Sequence, residues 1–256
     1  MMFEGKVVAI TGAAGGIGQS LCRHFKSEGA RVAAIDKSPA VEEFAKQLCD
    51  GFMIADVGDR EQVEKAFGIL SAGLGSIDIL VNNAGFSSHP TFARTTPDSW
   101  HHEVNGNLNS AYYCAHAVLD GMKAKGGGAI IAIGSVNGLG ALGDPAYSAA
   151  KAGLISLTKS LAVEYGRFNI RSNIVLPGTV RTPLWTIRAA KDPSVLETLR
   201  KWYPLGRIVD PEDVAKAVAF LASDAAAAIT GVALPVDCGL TAGNIVMARE
   251  LTLENF

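Results

Sequence analysis

The chain repeats one pattern, a short run of apolar or β-branched residues followed by a longer amphipathic stretch. The runs predict strands at Val7–Thr11, Arg31–Ile35, Gly51–Ile54, Ile79–Asn82, Ala129–Gly134, Arg171–Leu176 and Gly231–Val236. The stretches predict helices at Gly16–Ser27, Ala40–Leu48, Arg60–Ala72, Asn107–Lys125, Tyr147–Tyr165 and Pro211–Leu221. Apolar strands that alternate with helices indicate an α/β fold, a doubly wound parallel sheet with helices on both faces. Ligands of such sheets bind at the carboxyl ends of the strands.

The pattern reaches residue 236 without a linker, so we predict one domain over residues 1–256. A chain of 256 residues, 48% of them hydrophobic, can bury a sizeable core. Two segments exceed what the sheet needs: an insertion at 182–210 and a C-terminal tail at 243–256.

Charge and cysteine content exclude several classes of function. A net charge of −2 gives no electrostatic reason to expect binding to nucleic acid or to an anionic membrane. No apolar run is long enough to span a bilayer, and a strand begins almost at the N-terminus, where a secretory signal would lie. The scattered cysteines predict free thiols in a reducing compartment: Cys22, Cys49, Cys114 and Cys238. We therefore expect a cytoplasmic protein.

His101-His102 lacks a third ligand at suitable spacing, so no metal site is predicted.

The first strand runs into a glycine-rich turn, Thr11-Gly12-Ala13-Ala14-Gly15-Gly16-Ile17-Gly18, and a helix follows. Glycines at such a turn let the backbone approach a pyrophosphate, and the helix N-terminus offers free N–H donors. The spacing is Gly-x-x-x-Gly-x-Gly, and a simple strand-to-helix connection is the alternative. The strand–turn–helix context favours a dinucleotide-binding turn of the Rossmann type.

Asp36 ends the second strand, at the distance expected for a carboxylate that binds the adenosine ribose. It would repel a 2′-phosphate, which favours NAD over NADP, although Lys37 lies next to it. Asp56-Val57 after the third strand can receive the adenine, or Asp56 can be a turn or cap residue. Asn83-Ala84-Gly85 after the fourth strand can line the same cofactor.

Tyr147 and Lys151 are four residues apart on a predicted helix, so they share a face. An ammonium there favours the phenolate, and we expect it to lower the pKa of Tyr147 into a range suited to proton transfer. Ser135 lies twelve residues before Tyr147, and Asn107 lies further back. Taken alone, a Tyr and a Lys at this spacing are more typical of a packed ring beside a solvated amine.

Taken in order, these motifs resemble those of the classical short-chain dehydrogenase/reductase family over nearly the whole chain. The markers are Thr11-Gly12-x-x-x-Gly16-x-Gly18, Asn82-Asn83-Ala84-Gly85, Asn107, Ser135, Tyr147-x-x-x-Lys151 and Pro177-Gly178. Val236-Asp237-Cys238-Gly239 departs from the family's Asp-Gly-Gly, and a left-handed backbone there would strain the cysteine.

The resemblance implies roles for these residues. Tyr147 would exchange a proton with the substrate, Lys151 would hold the nicotinamide ribose, and Ser135 would bind the substrate oxygen. Asn107 would anchor a water that links Lys151 to solvent, with Asn105 as the alternative. After Pro177-Gly178, Val180 and Thr182 resemble groups that dock the nicotinamide carboxamide. The resemblance also implies a homotetramer.

Substrate specificity is expected to come from Phe86–Arg94, Val136–Ala146 and Thr182–Asp210. Trp185 and Trp202 either form a lid or pack on the core, and the tail packs on its own chain or on a neighbouring subunit. Polar loop residues that can meet a hydroxylated substrate are His89, Asn137 and Asp144, unless they are simply solvated.

Three functional hypotheses follow from the sequence. The first is an NAD-dependent oxidoreductase acting on a secondary alcohol or ketone, sugars and polyols included. The second is an NADPH-dependent 3-oxoacyl-thioester reductase, for which a small or basic residue is expected in place of Asp36. The third is a non-catalytic nucleotide-sensing scaffold, against which the complete Asn/Ser/Tyr/Lys set argues.

Overall fold

The computed structural model describes residues 1–183, 185, 190 and 192–255. Within them a seven-stranded sheet has the order β3-β2-β1-β4-β5-β6-β7. The strands are β1 (Val7–Thr11), β2 (Arg31–Asp36), β3 (Gly51–Ile54), β4 (Ile79–Asn82), β5 (Gly128–Ile133), β6 (Ile170–Pro177) and β7 (Ala233–Val236). Every neighbouring pair is parallel, which confirms the predicted doubly wound α/β fold.

Helices connect the strands and cover both faces of the sheet. Their bounds are α1 (Gly16–Ser27), α2 (Ala40–Leu48), α3 (Arg60–Leu74), α4 (Pro97–Val104), α5 (Ser110–Lys125), α6 (Pro145–Tyr165), α7 (Val195–Arg200), α8 (Pro211–Ala222) and α9 (Ile245–Thr252). The side chains of β1 alternate between the two faces. Val8 and Ile10 pack in one buried cluster with Leu21 of α1, whereas Val7 and Ala9 pack in a second cluster. This two-sided burial explains why β1 is apolar on both faces.

The winding of the chain reverses at β1, which lies between β2 and β4. The crevice at the carboxyl ends of these strands is the expected ligand site of an open parallel sheet. The predicted motifs follow strands at this edge: Gly12 follows β1, Asn83 follows β4, Ser135 follows β5 and Gly178 follows β6. The topology therefore brings together residues that are far apart in sequence.

The main errors of the sequence prediction concern short helices. Helix α4 was missed because its sequence is polar and it buries only one described side chain, that of Glu103. The capping box of Thr96 and Ser99, with Pro97 at the first helical position, marks its start instead. The predicted helix from Asn107 begins earlier, as a π-helical turn over Asn105–Asn109 that continues into α5.

Helices α7 and α9 were also missed, since each is short and α9 buries none of its side chains fully. Leu184, residues 186–189 and residue 191 of the 182–210 insertion, and Phe256 of the tail lie outside the described residues. In the described ranges, no helix is long and apolar enough to cross a membrane. The same residues contain no group of three His, Cys, Asp or Glu side chains that could hold a metal.

Candidate active site

The glycine turn after β1 is shaped by close backbone contacts. Gly12 has a φ of +64°, and a Cβ there would lie 2.8 Å from the Cα of Ala84. A Cβ on Gly18 would lie 2.1 Å from the carbonyl oxygen of Gly12, so the first turn of α1 packs directly on the loop. Helix α1 begins at Gly16 without a side-chain cap, which leaves its first N–H groups pointing out of the turn.

Asp36 lies beside this turn and stabilises it. One carboxylate oxygen accepts a hydrogen bond from the amide of Ala14 at 2.9 Å, and the other accepts one from the amide of Ser38 at 2.9 Å. Each oxygen has a further lone pair, so the group can still accept from ribose hydroxyls. The ammonium of neighbouring Lys37 lies 5.2 Å from the ring centre of Phe86.

Thr11 and Asn83 join β1 to β4 at the floor of the crevice. The Thr11 hydroxyl accepts from the amides of Asn83 and Ala84, and the Asn83 amide group donates to the Thr11 and Gly12 carbonyls. On the adjoining edge, Asp56 accepts from the Gly58 amide at 2.9 Å. Asp56 is therefore a turn residue, which is one of the two roles considered from sequence. It also lines the crevice, where the other role, contact with the adenine, was expected.

Two adjoining clefts cross the carboxyl edge of the sheet. The first, of about 580 Å³, is lined by the glycine turn, including Gly12, Ile17 and Gly18, and by Asp36, Asp56 and Val57. The second, of about 1230 Å³, contains Ser135, Tyr147 and Lys151. Ile17, Asn83, Gly85, Phe86 and Thr182 line both clefts, so the two are continuous. Glycine positions that tolerate no Cβ, beside a carboxylate, fit a dinucleotide that extends from one cleft into the other.

The described structure brings Ser135, Tyr147 and Lys151 to the wall of the larger cleft. Ser135 follows β5 and its hydroxyl donates to the side chain of Asn137 at 3.3 Å. Tyr147 and Lys151 lie on the first two turns of α6, where the Lys151 ammonium is 5.4 Å from the Tyr147 ring centre. The Lys151 ammonium donates to the carbonyl oxygen of Ile133 at 2.8 Å.

The electrostatics differ from the expectation for Tyr147. Burial raises the pKa of the phenol and Asp144 raises it further, whereas the Ser135 hydroxyl acts in the opposite direction. Burial also lowers the pKa of Lys151 to about 8. The predicted lowering of the Tyr147 pKa is therefore wrong for this arrangement, because desolvation of the phenol outweighs the lowering effect of the Ser135 hydroxyl. The phenol stays protonated at neutral pH, which suits proton donation.

Asn107 lies beside Lys151 across Gly85. A Cβ on Gly85 would lie 2.6 Å from Asn107 Oδ1 and 3.1 Å from Lys151 Nζ. The buried Asn107 amide group donates to the carbonyl oxygens of Phe86 and Glu103, both at 2.8 Å. Asn105 instead donates to the carbonyl of Gly58. Of the two asparagines weighed from sequence, Asn107 is the one near Lys151.

The segment after β6 closes the far side of the clefts. Pro177, Gly178, Val180 and Thr182 line the larger cleft, and Val180 forms a bridge with Val209. A Cβ on Gly16 would lie 2.9 Å from the Thr182 methyl group, so this segment packs against the glycine turn. The hydroxyl of buried Tyr203 accepts from the Thr179 amide at 2.9 Å, which ties the insertion to the strand end.

The substrate side of the larger cleft is mostly apolar. Trp185 and Trp202 both line this cleft. Trp202 is 37% exposed, so its ring does not pack in the core, which was one of the two placements considered from sequence. Leu139, Leu142 and Leu240 add to this wall. Asn137 and Asp144 supply polar groups there. His89 is not among the lining residues but contacts the fully buried Glu103 at 3.7 Å.

Glu103 was missed from sequence, and Ser87 was included only as part of the predicted specificity loop Phe86–Arg94. One oxygen of Glu103 accepts from the Ser88 amide, the Ser88 hydroxyl and the His89 amide, and the Ser87 hydroxyl donates to Asp144. These contacts hold the loop after β4 over the cleft. The sequence offers one indication of the role of Glu103, its position one helical turn before Asn107. That spacing alone does not show whether the carboxylate is buried or exposed to solvent.

Comparison with known proteins agrees with this geometry. A family model described as enoyl-(acyl carrier protein) reductase matches residues 12–241. A crystal structure of an oxidoreductase of the short chain dehydrogenase/reductase family from Burkholderia thailandensis is 50% identical, with a TM-score of 0.93 over 98% of each chain. The chain belongs to the short-chain dehydrogenase/reductase family. It is therefore an oxidoreductase with a nicotinamide cofactor and a small-molecule substrate.

Two further relatives bear on its chemistry. An uncharacterized oxidoreductase of Schizosaccharomyces pombe is 46% identical over 100% of this chain and 98% of its own length. The structure of 3-ketoacyl-(acyl-carrier-protein) reductase from Brucella melitensis complexed with NADH is 32% identical, with a TM-score of 0.86 over 93% of this chain and 99% of that one. Only the second name states a substrate, and family membership alone does not identify what this chain acts on.

Proposed function

We propose that this protein is an NAD-dependent oxidoreductase that interconverts secondary alcohols and ketones, sugars and polyols included. The observation that carries the proposal is the convergence of Ser135, Tyr147 and Lys151 on one cleft that continues into the glycine turn, with Asn107 beside Lys151 at Gly85. When bound, the nicotinamide supplies or accepts the hydride. The protein supplies position, a proton and electrostatic stabilisation.

Each catalytic residue has one task in this proposal. Tyr147 gives its phenolic proton to the substrate oxygen during reduction and removes a proton from the alcohol during oxidation. The Ser135 hydroxyl donates a hydrogen bond to the same oxygen as charge develops there. Lys151 holds the nicotinamide ribose, and Asn107 links it to solvent through a water. The raised pKa of Tyr147 keeps the phenol in the protonated form that reduction requires.

The dinucleotide would lie across both clefts. Gly12, Gly16, Ile17 and Gly18 would bind the pyrophosphate, and Asp56 and Val57 would border the adenine. The central part of the dinucleotide would contact Asn83, Ala84 and Gly85. Pro177, Gly178, Val180 and Thr182 would enclose the nicotinamide.

Asp36 supports the choice of NAD. Its carboxylate is oriented by the amides of Ala14 and Ser38, beside the turn that would hold the pyrophosphate. A fixed negative charge at this point accepts from ribose hydroxyls and repels a 2′-phosphate. The ammonium of neighbouring Lys37 lies over the Phe86 ring. Among the described contacts it forms no ion pair with Asp36, so the negative charge of Asp36 is not neutralised there.

The second candidate is an NADPH-dependent 3-oxoacyl-thioester reductase. The similarity to the 3-ketoacyl-(acyl-carrier-protein) reductase from Brucella melitensis favours it, although that structure contains NADH. The apolar wall formed by Leu139, Leu142 and Trp202 can also accept an acyl chain.

Steady-state kinetics with both nucleotides separates the two candidates. Purified protein is assayed by nicotinamide absorbance with NAD⁺ and NADP⁺ on sugars, polyols, hydroxy acids and simple alcohols, and with NADH and NADPH on ketones and 3-oxoacyl thioesters. The proposal predicts a higher kcat/KM with NAD(H) and on the alcohol and ketone series. A preference for NADPH together with 3-oxoacyl thioesters would support the second candidate instead.

We also propose a cytoplasmic homotetramer, which rests on the family resemblance. Helix α9 and the residues after it leave Met247, Leu251 and Leu253 exposed, and an apolar surface of this kind is suited to a neighbouring subunit. Analytical ultracentrifugation tests this part, and a monomer at micromolar concentration would contradict it.

A further inference from the structure

The Asp144 carboxylate lies on the wall of the larger cleft, three residues before Tyr147. Both residues line the same cleft, and the charge of Asp144 acts on the Tyr147 phenol. One oxygen, Oδ1, accepts a hydrogen bond from the Ser87 hydroxyl at 2.6 Å. No hydrogen bond between described residues uses Oδ2, and the residue is only half-buried. A ligand in the cleft can therefore reach this oxygen.

The backbone around Asp144 is held in an uncommon conformation. Its φ is +50°, in the left-handed region that few residues other than glycine, asparagine and aspartate adopt. Its amide donates to the carbonyl of Pro90 at 3.1 Å, and its carbonyl accepts from the Ser148 amide at 2.8 Å. The carboxylate is thus fixed between the loop after β4 and the first turn of α6.

The loop that contacts Asp144 is itself anchored. The fully buried Glu103 accepts from the Ser88 amide at 3.1 Å and from the His89 amide at 3.3 Å. Because Ser88 is next to Ser87, this anchor fixes the hydroxyl that orients Asp144. Such a pre-organised acceptor loses little entropy when it binds a ligand.

The charges around Asp144 restrict what it can bind. A carboxylate only accepts hydrogen bonds, so its partner must be a donor such as a hydroxyl group. Among the described residues that line this cleft, Lys151 is the one with a cationic side chain, and it donates to the Ile133 carbonyl. An anionic group near Asp144 would be repelled, while the rest of a neutral substrate meets Leu139, Leu142 and Trp202.

We propose that Asp144 is a specificity-determining residue that accepts a hydrogen bond from a second hydroxyl group, next to the carbon that reacts. It thereby selects neutral vicinal diols and hydroxyketones over simple alcohols and over substrates with a carboxylate at that position. This inference rests on the proposed function, since it assigns the substrate class of the same site.

Matched substrate pairs test this proposal. Oxidation by NAD⁺ is measured for 1,2-cyclohexanediol against cyclohexanol and for 2,3-butanediol against 2-butanol. A hydrogen bond to a charged group predicts a kcat/KM for the diol about tenfold or more above that for the alcohol. Asp144→Gly accommodates the left-handed backbone and is expected to bring this ratio close to one. Asp144→Asn, which keeps an acceptor oxygen without the charge, is expected to give an intermediate ratio.

Two readouts separate this role from a loss of folding or of general activity. The control variant Asp98→Asn, an exposed carboxylate on α4, is expected to keep the wild-type ratio. Since Asp144 raises the pKa of Tyr147, Asp144→Asn is also expected to move the pH profile of oxidation to lower pH. A wild-type ratio near one, or an unchanged ratio in Asp144→Gly and Asp144→Asn, would overturn this inference and leave the proposed function intact. No turnover of any alcohol or ketone by the wild-type protein would overturn the proposed function itself, and this inference with it.

Discussion

The two halves of the crevice, which we propose hold the nucleotide and the substrate respectively, are built in different ways. In the first, backbone geometry defines the site: glycines that tolerate no Cβ lie against one another, and Asp36 accepts from backbone amides. In the second, side chains from separate loops define it: Glu103 holds Ser88, Ser87 holds Asp144, and Trp202 lines the open wall. A backbone-built site serves one shared ligand, whereas a site built from loop side chains can change its ligand with few substitutions.

The largest expected effect tests the backbone-built half. Gly18→Ala places a Cβ 2.1 Å from the Gly12 carbonyl oxygen, so the turn must shift. We expect a loss of about 3 kcal/mol in the free energy of unfolding and a loss of measurable NAD binding. Gly15→Ala is the matched control, because its Cβ would meet the same oxygen at 3.4 Å. Denaturant unfolding and calorimetric titration of both variants measure the effect; equal behaviour of the two would refute a steric requirement.

The second prediction concerns the carboxylate of the same half. Asp36→Asn removes the negative charge and keeps one acceptor oxygen, which can serve the Ala14 amide or the Ser38 amide but not both. The ratio of kcat/KM for NAD⁺ to that for NADP⁺ is expected to fall about tenfold or more, since hydrogen bonds to a charged group are the stronger kind. Asp56→Asn, in the same cleft but engaged with the Gly58 amide, is expected to change the ratio little. A larger change at Asp56 would contradict the assignment.

The third prediction concerns the cost of a buried amine in the catalytic half. Burial lowers the pKa of Lys151 to about 8 from an unfolded value of 10.5, so the unfolded chain binds more protons between these pH values. Lys151 therefore destabilises the fold below pH 8, and this penalty is relieved as the pH rises towards 10.5. Lys151→Met removes the penalty, with a difference of about 1–3 kcal/mol at pH 7, although the Ile133 carbonyl loses its donor.

Urea unfolding of both proteins at pH 7 and pH 9.5 measures this effect. The wild-type free energy of unfolding is expected to rise relative to that of Lys151→Met between the two pH values, while Lys151→Met lacks activity at both. A constant difference would show that Lys151 titrates normally in the folded protein.

The smallest expected effect is at Cys238, where the backbone has a φ of +52°. The sequence predicted strain if this position were left-handed, and the structure has that geometry. Cys238→Gly relieves a cost of about 1 kcal/mol, less what the half-buried thiol contributes by packing. Thermal unfolding is expected to move up by a few degrees, and a lower Tm would show that packing of the thiol outweighs the strain.

The sequence predicted the sheet almost entirely, because β-branched runs and amphipathic helices encode burial directly. Gly12, Gly16, Gly18 and Asp36 were found in the same way, since their spacing reflects backbone geometry. The pKa of Tyr147 was predicted in the wrong direction, because the degree of burial around its ring is a property of the folded chain. Glu103 was missed for a similar reason: nothing in the polar sequence of α4 marks which of its carboxylates is buried.

Tyr147→Phe tests most directly whether this crevice is catalytic. The change removes one oxygen and leaves the ring, so NAD is expected to bind with its wild-type Kd. Tyr165→Phe, on the same helix α6, is the control for a generic loss of hydroxyl. The account predicts that kcat on the best alcohol falls about 10²- to 10⁴-fold in Tyr147→Phe and stays near wild type in Tyr165→Phe. A kcat for Tyr147→Phe close to that of the wild-type protein would contradict it.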